Sequence, residues 1–239
     1  MQSIKLSDNL AIRNLKKEYL LKKERINSRL REFDKFYLGS YSWHFENNNM
    51  ELKLNDKNPN HNLFEELCFC ILTANTSAEM GLRSIDKIRD LLVNGSVEDM
   101  SRNLEGIYRF NNLRPAFIVH TREKLQKSHN FELKNIIETL KNNPDALRDF
   151  FVENVKGFGY KEASHFLRNI GFKGYAILDK HILNSLVEFG VVDEFKMPLN
   201  KERYKELENK LRLFSNEIGI PMDELDLLLW SRKNGRILK

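Results

Sequence analysis

The sequence predicts an all-α protein, and three observations predict it. Apolar residues recur at the spacing of a helix face along nearly the whole chain. Helix-opening and helix-closing residues punctuate that pattern, as in the last expected helix, where Pro221 opens "PMDELDLLLWSRKN" and Gly235 closes it. Only residues 41–54 alternate apolar and polar side chains in the manner of a strand.

The elements follow in order. Residues 8–36 place Leu10, Leu15, Tyr19, Ile26, Leu30 and Phe33 at helical spacing among lysines and glutamates, which predicts a long helix facing solvent on one side. In "YSWHFENNNMELKL", 41–54, two alternating runs flank the turn formers Asn47, Asn48 and Asn49; a small β-hairpin and a structured loop both satisfy the pattern. Residues 63–75, "LFEELCFCILTAN", are apolar almost all round and predict a buried central helix. Shorter helical patterns occupy 79–93, 97–104, 112–127, 132–141 and 144–155, then 160–170, 180–189 and 200–218.

Length and composition narrow the class. The 239 residues are enough for a sizeable core in one or two packed domains. No apolar run approaches the ~18 residues of a membrane span. The opening "MQSIKLSDNLAIRNLKK" lacks the apolar centre of a signal peptide, so a cytoplasmic protein without a membrane is expected. A net charge of +5 favours an anionic partner. The charge is concentrated: Arg109, Arg114, Arg122, Lys124 and Lys127 face one acid, Glu123, between positions 109 and 127. The two cysteines, Cys68 and Cys70, are two apart on a helix and point to different faces, so buried reduced thiols are expected. Two cysteines also cannot ligate a four-cysteine iron–sulfur cluster.

The stretch "NVKGFGYKEASHFLRNIG", 154–171, carries the chemistry. Leu147, Phe151 and Val155 precede Gly157 at helical spacing, and Ala163, Phe166, Leu167 and Ile170 follow Gly159. "KGFG" is too short for a relaxed loop. Gly157 and Gly159 can take unusual backbone angles and let another molecule approach closely, while Phe158 plugs the space between the helices. Free amides at the start of the second helix form an anion site of the kind that holds a phosphate. For an isolated GxG, a plain helix-turn-helix connection with glycine capping is the favoured account.

The longer pattern is more specific. "VKGFGYKEASHFL" resembles the helix-hairpin-helix of DNA-repair glycosylases, and "AILDKHIL" supplies the aspartate that this superfamily places after its hairpin. "ELCFCILTANTSAEMGLR", "RFNNLRPAFIVHTR" and the ending "ELDLLLWSRKNGRILK" extend the likeness over about residues 60–239. Together they resemble the archaeal-type, second family of 8-oxoguanine DNA glycosylase/AP lyases. The resemblance implies two helical subdomains with a cleft for DNA between them. Its expected divisions are an N-terminal helix and extension over 1–60, a subdomain from 61–77 with 190–239, and a helical subdomain over 78–189. Residues 1–60 are longer than the compact family pattern needs, and the 41–54 stretch has no assigned place in it.

The resemblance also implies site residues. Lys161 and Asp179 match the catalytic pair of the members that cut both base and strand. Lys161 acts as an amine nucleophile; read alone, it is a solvated surface lysine. At a helix N-terminus beside basic neighbours its cation is disfavoured. Asp179 stabilises positive charge on the sugar as the glycosidic bond breaks, and sits where an N-cap would. Those two roles are compatible. Asn75 either fills the hole left by a flipped base or caps a helix. Trp230, Lys239 and Phe117 line the lesion pocket, although Trp230 and Phe117 taken alone fit a core. A carboxylate at the end of "GRILK" would accept the N–H groups of a purine. Carbonyls of Val155 and Phe158 would hold a structural Na+ or K+; no other cofactor is required. The expected partner is double-stranded DNA containing oxidised guanine, met by a monomer. The alternatives are the same chemistry on another oxidised base, and a non-catalytic module that uses the hairpin to grip DNA.

Overall fold

The computed structural model describes residues 10–47 and 49–239, with Asn234 by its backbone alone. Residues 8 and 9 of the first expected helix, and Asn48 of the expected turn, lie outside the described residues. Eleven α-helices and one antiparallel two-stranded sheet make up the described elements. In order they are α1 (Leu10–Leu38), β1 (Tyr41–Glu46), β2 (Asn49–Leu54), α2 (Pro59–Thr73), α3 (Ala78–Ile88) and α4 (Val97–Leu104). Then come α5 (Arg114–His129), α6 (Leu133–Leu140), α7 (Pro144–Asn154), α8 (Tyr160–Asn169), α9 (Lys180–Glu188), α10 (Lys201–Ile218) and α11 (Met222–Asn234). The expected helix at 79–93 ends early: Arg89–Leu91 tighten into a 3-10 turn. The chain resolves into two compact units, Phe33–Gly171 and the residues up to Glu32 with Phe172–Lys239, so that α1 is divided at Glu32. These differ from the segments expected at 1–60, 61–77 with 190–239, and 78–189.

The Phe33–Gly171 unit is built on α2. Asn58 accepts the Asn60 amide at 2.8 Å and Pro59 occupies the first turn, a strong helix start. From Asn62 to Thr73 every residue is buried. Helices α3, α5, α6 and α8 and strand β1 all pack on it. Its two acids are therefore paired: Glu65 with Arg89, and Glu66 with the Asn169 amide at 2.7 Å. Cys68 and Cys70 are fully buried free thiols, and burial pushes the Cys68 thiol well above its ordinary value.

Residues 41–54 form a β-hairpin, with Glu46 opposite Asn49 and Asn47 in the left-handed region at φ 51°. Trp43 explains why the sequence spends a hairpin here. Its ring is 2% exposed, stacks on Phe36 (6.4 Å) and meets Phe33 edge-on (5.9 Å), while its carbonyl accepts Arg89 at 2.7 Å. The hairpin thus seals the end of α1 and the side of α2.

In the other unit, Ile12, Leu15, Tyr19 and Ile26 of α1 form the buried stripe, whereas Leu10 is exposed. Leu207, Leu211 and Phe214 of α10 and Leu225, Leu228 and Leu229 of α11 complete a second core with Leu183 and Leu186 of α9. Tyr19 donates to Glu224 at 2.6 Å and Lys22 to Ser231 at 3.1 Å, so polar contacts rim that core. No helix among the described residues is long and apolar enough to cross a membrane.

Candidate active site

Helices α7 and α8 enclose the hairpin. Asn143 caps α7 through the Ala146 amide at 3.1 Å, and α7 stops at Asn154. Gly157 takes φ 86°, and Gly159 is the extended N-cap of α8. Phe151 and Phe166 pack 4.7 Å apart between the helices, and buried Arg148 on α7 donates to Ser164 on α8 at 3.3 Å. Tyr160 also binds Asp149. Phe158 is 8% exposed, the plug expected from its place between two glycines. Lys156 donates its amide to Thr121 at 3.0 Å, and Lys124 reaches the Glu153 carbonyl at 2.8 Å, which docks the hairpin on α5.

The two glycines have different reasons to be glycine. A Cβ on Gly157 would lie 2.6 Å from Phe117 Cδ2 and 3.2 Å from Arg114 Nη1, at a positive φ. On Gly159 it would meet only Glu162 Oε2, at 3.5 Å, on extended backbone. That contact is of ordinary van der Waals length, so no close internal contact requires the second glycine.

Lys161 opens α8 and its side chain is 24% exposed. Its nearest ionic partner is Glu162, with Oε1 3.6 Å from Nζ, while Glu162 Oε2 accepts the Gly159 amide at 3.2 Å. Lys161 therefore has a carboxylate beside it, not only the basic neighbours that the sequence suggested. A phosphate at the Gly159 amide would therefore compete with Glu162. The Val155 carbonyl already accepts the Phe158 amide at 3.2 Å, so a cation would share that oxygen. Among the described residues no three His, Cys, Asp or Glu side chains gather as a metal site.

Asn75 is exposed and left-handed, φ 62°, one residue beyond the Ala74 cap of α2. Its backbone role as a helix terminator and an outward side chain thus coexist. Phe117 is half-buried, with the Arg114 guanidinium 5.2 Å from its ring centre, so it is not a core residue. Much of the 109–127 basic cluster is used internally: Arg114 is buried, Arg122 donates to the Leu92 and Gly95 carbonyls, and Lys124 holds Glu153.

Asp179, Trp230 and Lys239 lie in the other unit. Asp179 is the N-cap of α9: Oδ1 accepts the amides of His181 (2.8 Å) and Ile182 (2.9 Å). Trp230 is half-buried and meets the His181 ring edge-on at 5.3 Å. Lys233 Nζ lies 2.7 Å from His181 Nε2. An ammonium can only donate, so Nε2 accepts and the ring proton sits on Nδ1. Lys239 is 6% exposed. Glu162 and His181 were not singled out in the sequence. Glu162 had a signal, a glutamate three residues after an N-cap; His181 had none, because α11 supplies its neighbours.

A helix-hairpin-helix with a lysine at the mouth of its second helix, and an aspartate capping the helix that follows, defines the class of helix-hairpin-helix DNA glycosylases. Residues 45–220 match the family described as 8-oxoguanine DNA glycosylase, and the chain belongs to that family. It is 40% identical to the 8-oxoguanine DNA glycosylase/AP lyase of Methanocaldococcus jannaschii over 79% of this chain and 88% of that one. Identity to the enzyme of that name from Fusobacterium nucleatum is 39%, over 89% and 99% of the two chains. The crystal structure of the M. jannaschii 8-oxoguanine glycosylase/lyase in complex with a 15mer DNA containing 8-oxoguanine superposes with a TM-score of 0.75 at 36% identity. The superposition covers 94% of this chain and 99% of that one. With so few residues of either chain left unmatched, residues 1–60 cannot all be an addition to the shared fold.

Proposed function

We propose that this protein is a bifunctional DNA glycosylase/AP lyase that removes 8-oxoguanine from double-stranded DNA and then cuts the strand, inside the cell with the chromosome and as a monomer. The observation that carries the reading is Lys161 at the N-terminus of α8, two residues after an externally accessible Gly159, in a chain of this family. Lesion identity rests on the relatives, whose names specify 8-oxoguanine.

Chemically, the amides at the start of α8 and the Gly157–Gly159 turn hold a backbone phosphate near the target. The target nucleotide is flipped, at a cost of a few kcal/mol, with Asn75 filling the vacated place and Phe117, Trp230 and Lys239 lining the base pocket. The Lys161 amine attacks C1′ as the bond from C1′ to the base breaks, and the base leaves with that electron pair and takes up a proton. Asp179 stabilises the positive charge that builds on the sugar and steadies the amine. Opening of the sugar ring gives an iminium between Nζ and C1′. Loss of a C2′ proton then breaks the C3′–O bond, on the 3′ side of the lesion. No step uses a metal; a monovalent cation on the Val155 and Phe158 carbonyls would serve the turn only.

Borohydride trapping tests this. A labelled duplex with one 8-oxoguanine should give a covalent adduct that is absent with Lys161→Gln, which still binds DNA. An adduct only with a thymine glycol duplex would keep the chemistry and change the lesion. No adduct with either would leave the hairpin as a DNA grip alone.

A further inference from the structure

We infer that Arg114 is a positioning residue that locks the Asn75 turn and the Phe117 ring into one arrangement, so that it serves base flipping rather than the amine chemistry. The inference rests on the reading of Asn75 and Lys161 above.

Arginine is the wrong residue for the helix it begins. Arg114 opens α5, where the helix dipole opposes a cation, and no side chain caps that end. Its reason lies elsewhere. Helix α2 has 15 residues and no basic side chain in its last turn, so its C-terminal carbonyls lack a charge partner of their own. Arg114 Nη2 supplies one, 3.4 Å from the Ala74 carbonyl, directly before left-handed Asn75. Tyr108, which contacts Arg114, donates to the Leu72 carbonyl at 2.6 Å, and burial raises that phenol to about 12, so it keeps its proton. The end of α2 is thereby fixed by side chains from residues 108–114.

The same guanidinium reaches the hairpin. Its Nη1 would be 3.2 Å from a Cβ on Gly157, and its carbon stands 5.2 Å from the Phe117 ring centre and 5.5 Å from that of Phe110. Only 7% of Arg114 is exposed. One planar, charged group therefore sets the backbone before the plug residue and one wall of the base pocket. An abasic nucleotide has no base to extrude or seat, so its cleavage depends on Lys161 but little on this arrangement.

The test compares two substrates in single-turnover reactions: a duplex with 8-oxoguanine and one with a preformed abasic site. Misplacement of positioning groups by an ångström can cost about 100-fold. Arg114→Met should slow 8-oxoguanine release at least about tenfold and abasic-site cleavage less than about threefold. Arg114→Lys, which keeps the charge and loses the planar fork, should fall between. If Arg114→Met does not fold, Phe110→Leu should show the same selectivity more weakly. Equal slowing on both substrates, or on neither, in whichever variant folds overturns the inference. Failure of the wild type to form a borohydride adduct on the abasic duplex would instead overturn the reading beneath it.

Discussion

The Lys161 ammonium lies 3.6 Å from Glu162 Oε1, and the other oxygen of that carboxylate holds the Gly159 amide at 3.2 Å. The proposed nucleophile and the hairpin turn thus share one acid. Glu162 sits in the first turn of α8, where the dipole favours its charge.

Removing that acid has a separable structural effect. Glu162→Ala loses the bond to the N-cap amide and a favourable first-turn charge, together about 1 kcal/mol, or a fall in Tm of about 2–4 °C. Glu162→Gln keeps an acceptor oxygen and should lose less than half of that. Thermal melts of both variants check it, and an equal fall would mean that charge, not the hydrogen bond, is what the turn uses.

The hairpin glycines should separate stability from binding. Gly157→Ala forces a Cβ to 2.6 Å from Phe117 at a positive φ, so a loss of about 1–3 kcal/mol in denaturant unfolding is expected. Gly159→Ala meets nothing closer than 3.5 Å and should unfold within about 0.5 kcal/mol of wild type. Its DNA affinity should nevertheless fall several-fold, read by fluorescence anisotropy. Unchanged affinity would remove the external reason for that glycine.

Much of this was legible in the sequence because local rules carried it. Pro144, Gly159 and Asp179 mark helix starts within a residue of where α7, α8 and α9 begin, since caps depend on neighbours in the chain. Trp43 could not be placed, because its reason is the stack on Phe36 and the bond from Arg89, both set by tertiary packing. Arg114 and Arg122 read as surface charge yet cap the carbonyls of Ala74, Leu92 and Gly95. A charge count cannot distinguish an arginine that meets a phosphate from one that ends a helix.

Asp179 is a cap with a proposed chemical role, and two substitutions part them. Asp179→Asn retains an oxygen for the His181 and Ile182 amides, so its Tm should stay within about 2 °C while 8-oxoguanine release falls about 100-fold or more. Asp179→Ala should lose the same activity and a further ~1 kcal/mol of stability. Full activity in the folded Asn variant would reduce Asp179 to a cap.

His181 links that cap to α11, and its titration has a defined sign. Burial holds the ring below its ordinary value of 6.5, the Lys233 and Lys180 cations add to the effect, and the Asp179 carboxylate opposes it. The neutral ring accepts Lys233 at Nε2, and a protonated ring could not. Below pH 6.5 the unfolded chain therefore binds more protons at this position than the folded one. The contribution of His181 to stability is complete above that pH and is lost as pH falls through the depressed folded value. Lys233→Met removes one opposing cation, so the ring should titrate at higher pH and the acid loss should shrink; Asp179→Asn should move it lower. Ring-proton NMR titrations, assigned with His181→Asn, measure both shifts. A Lys233→Met titration at or below the wild-type midpoint would show that this pair does not set the charge of His181.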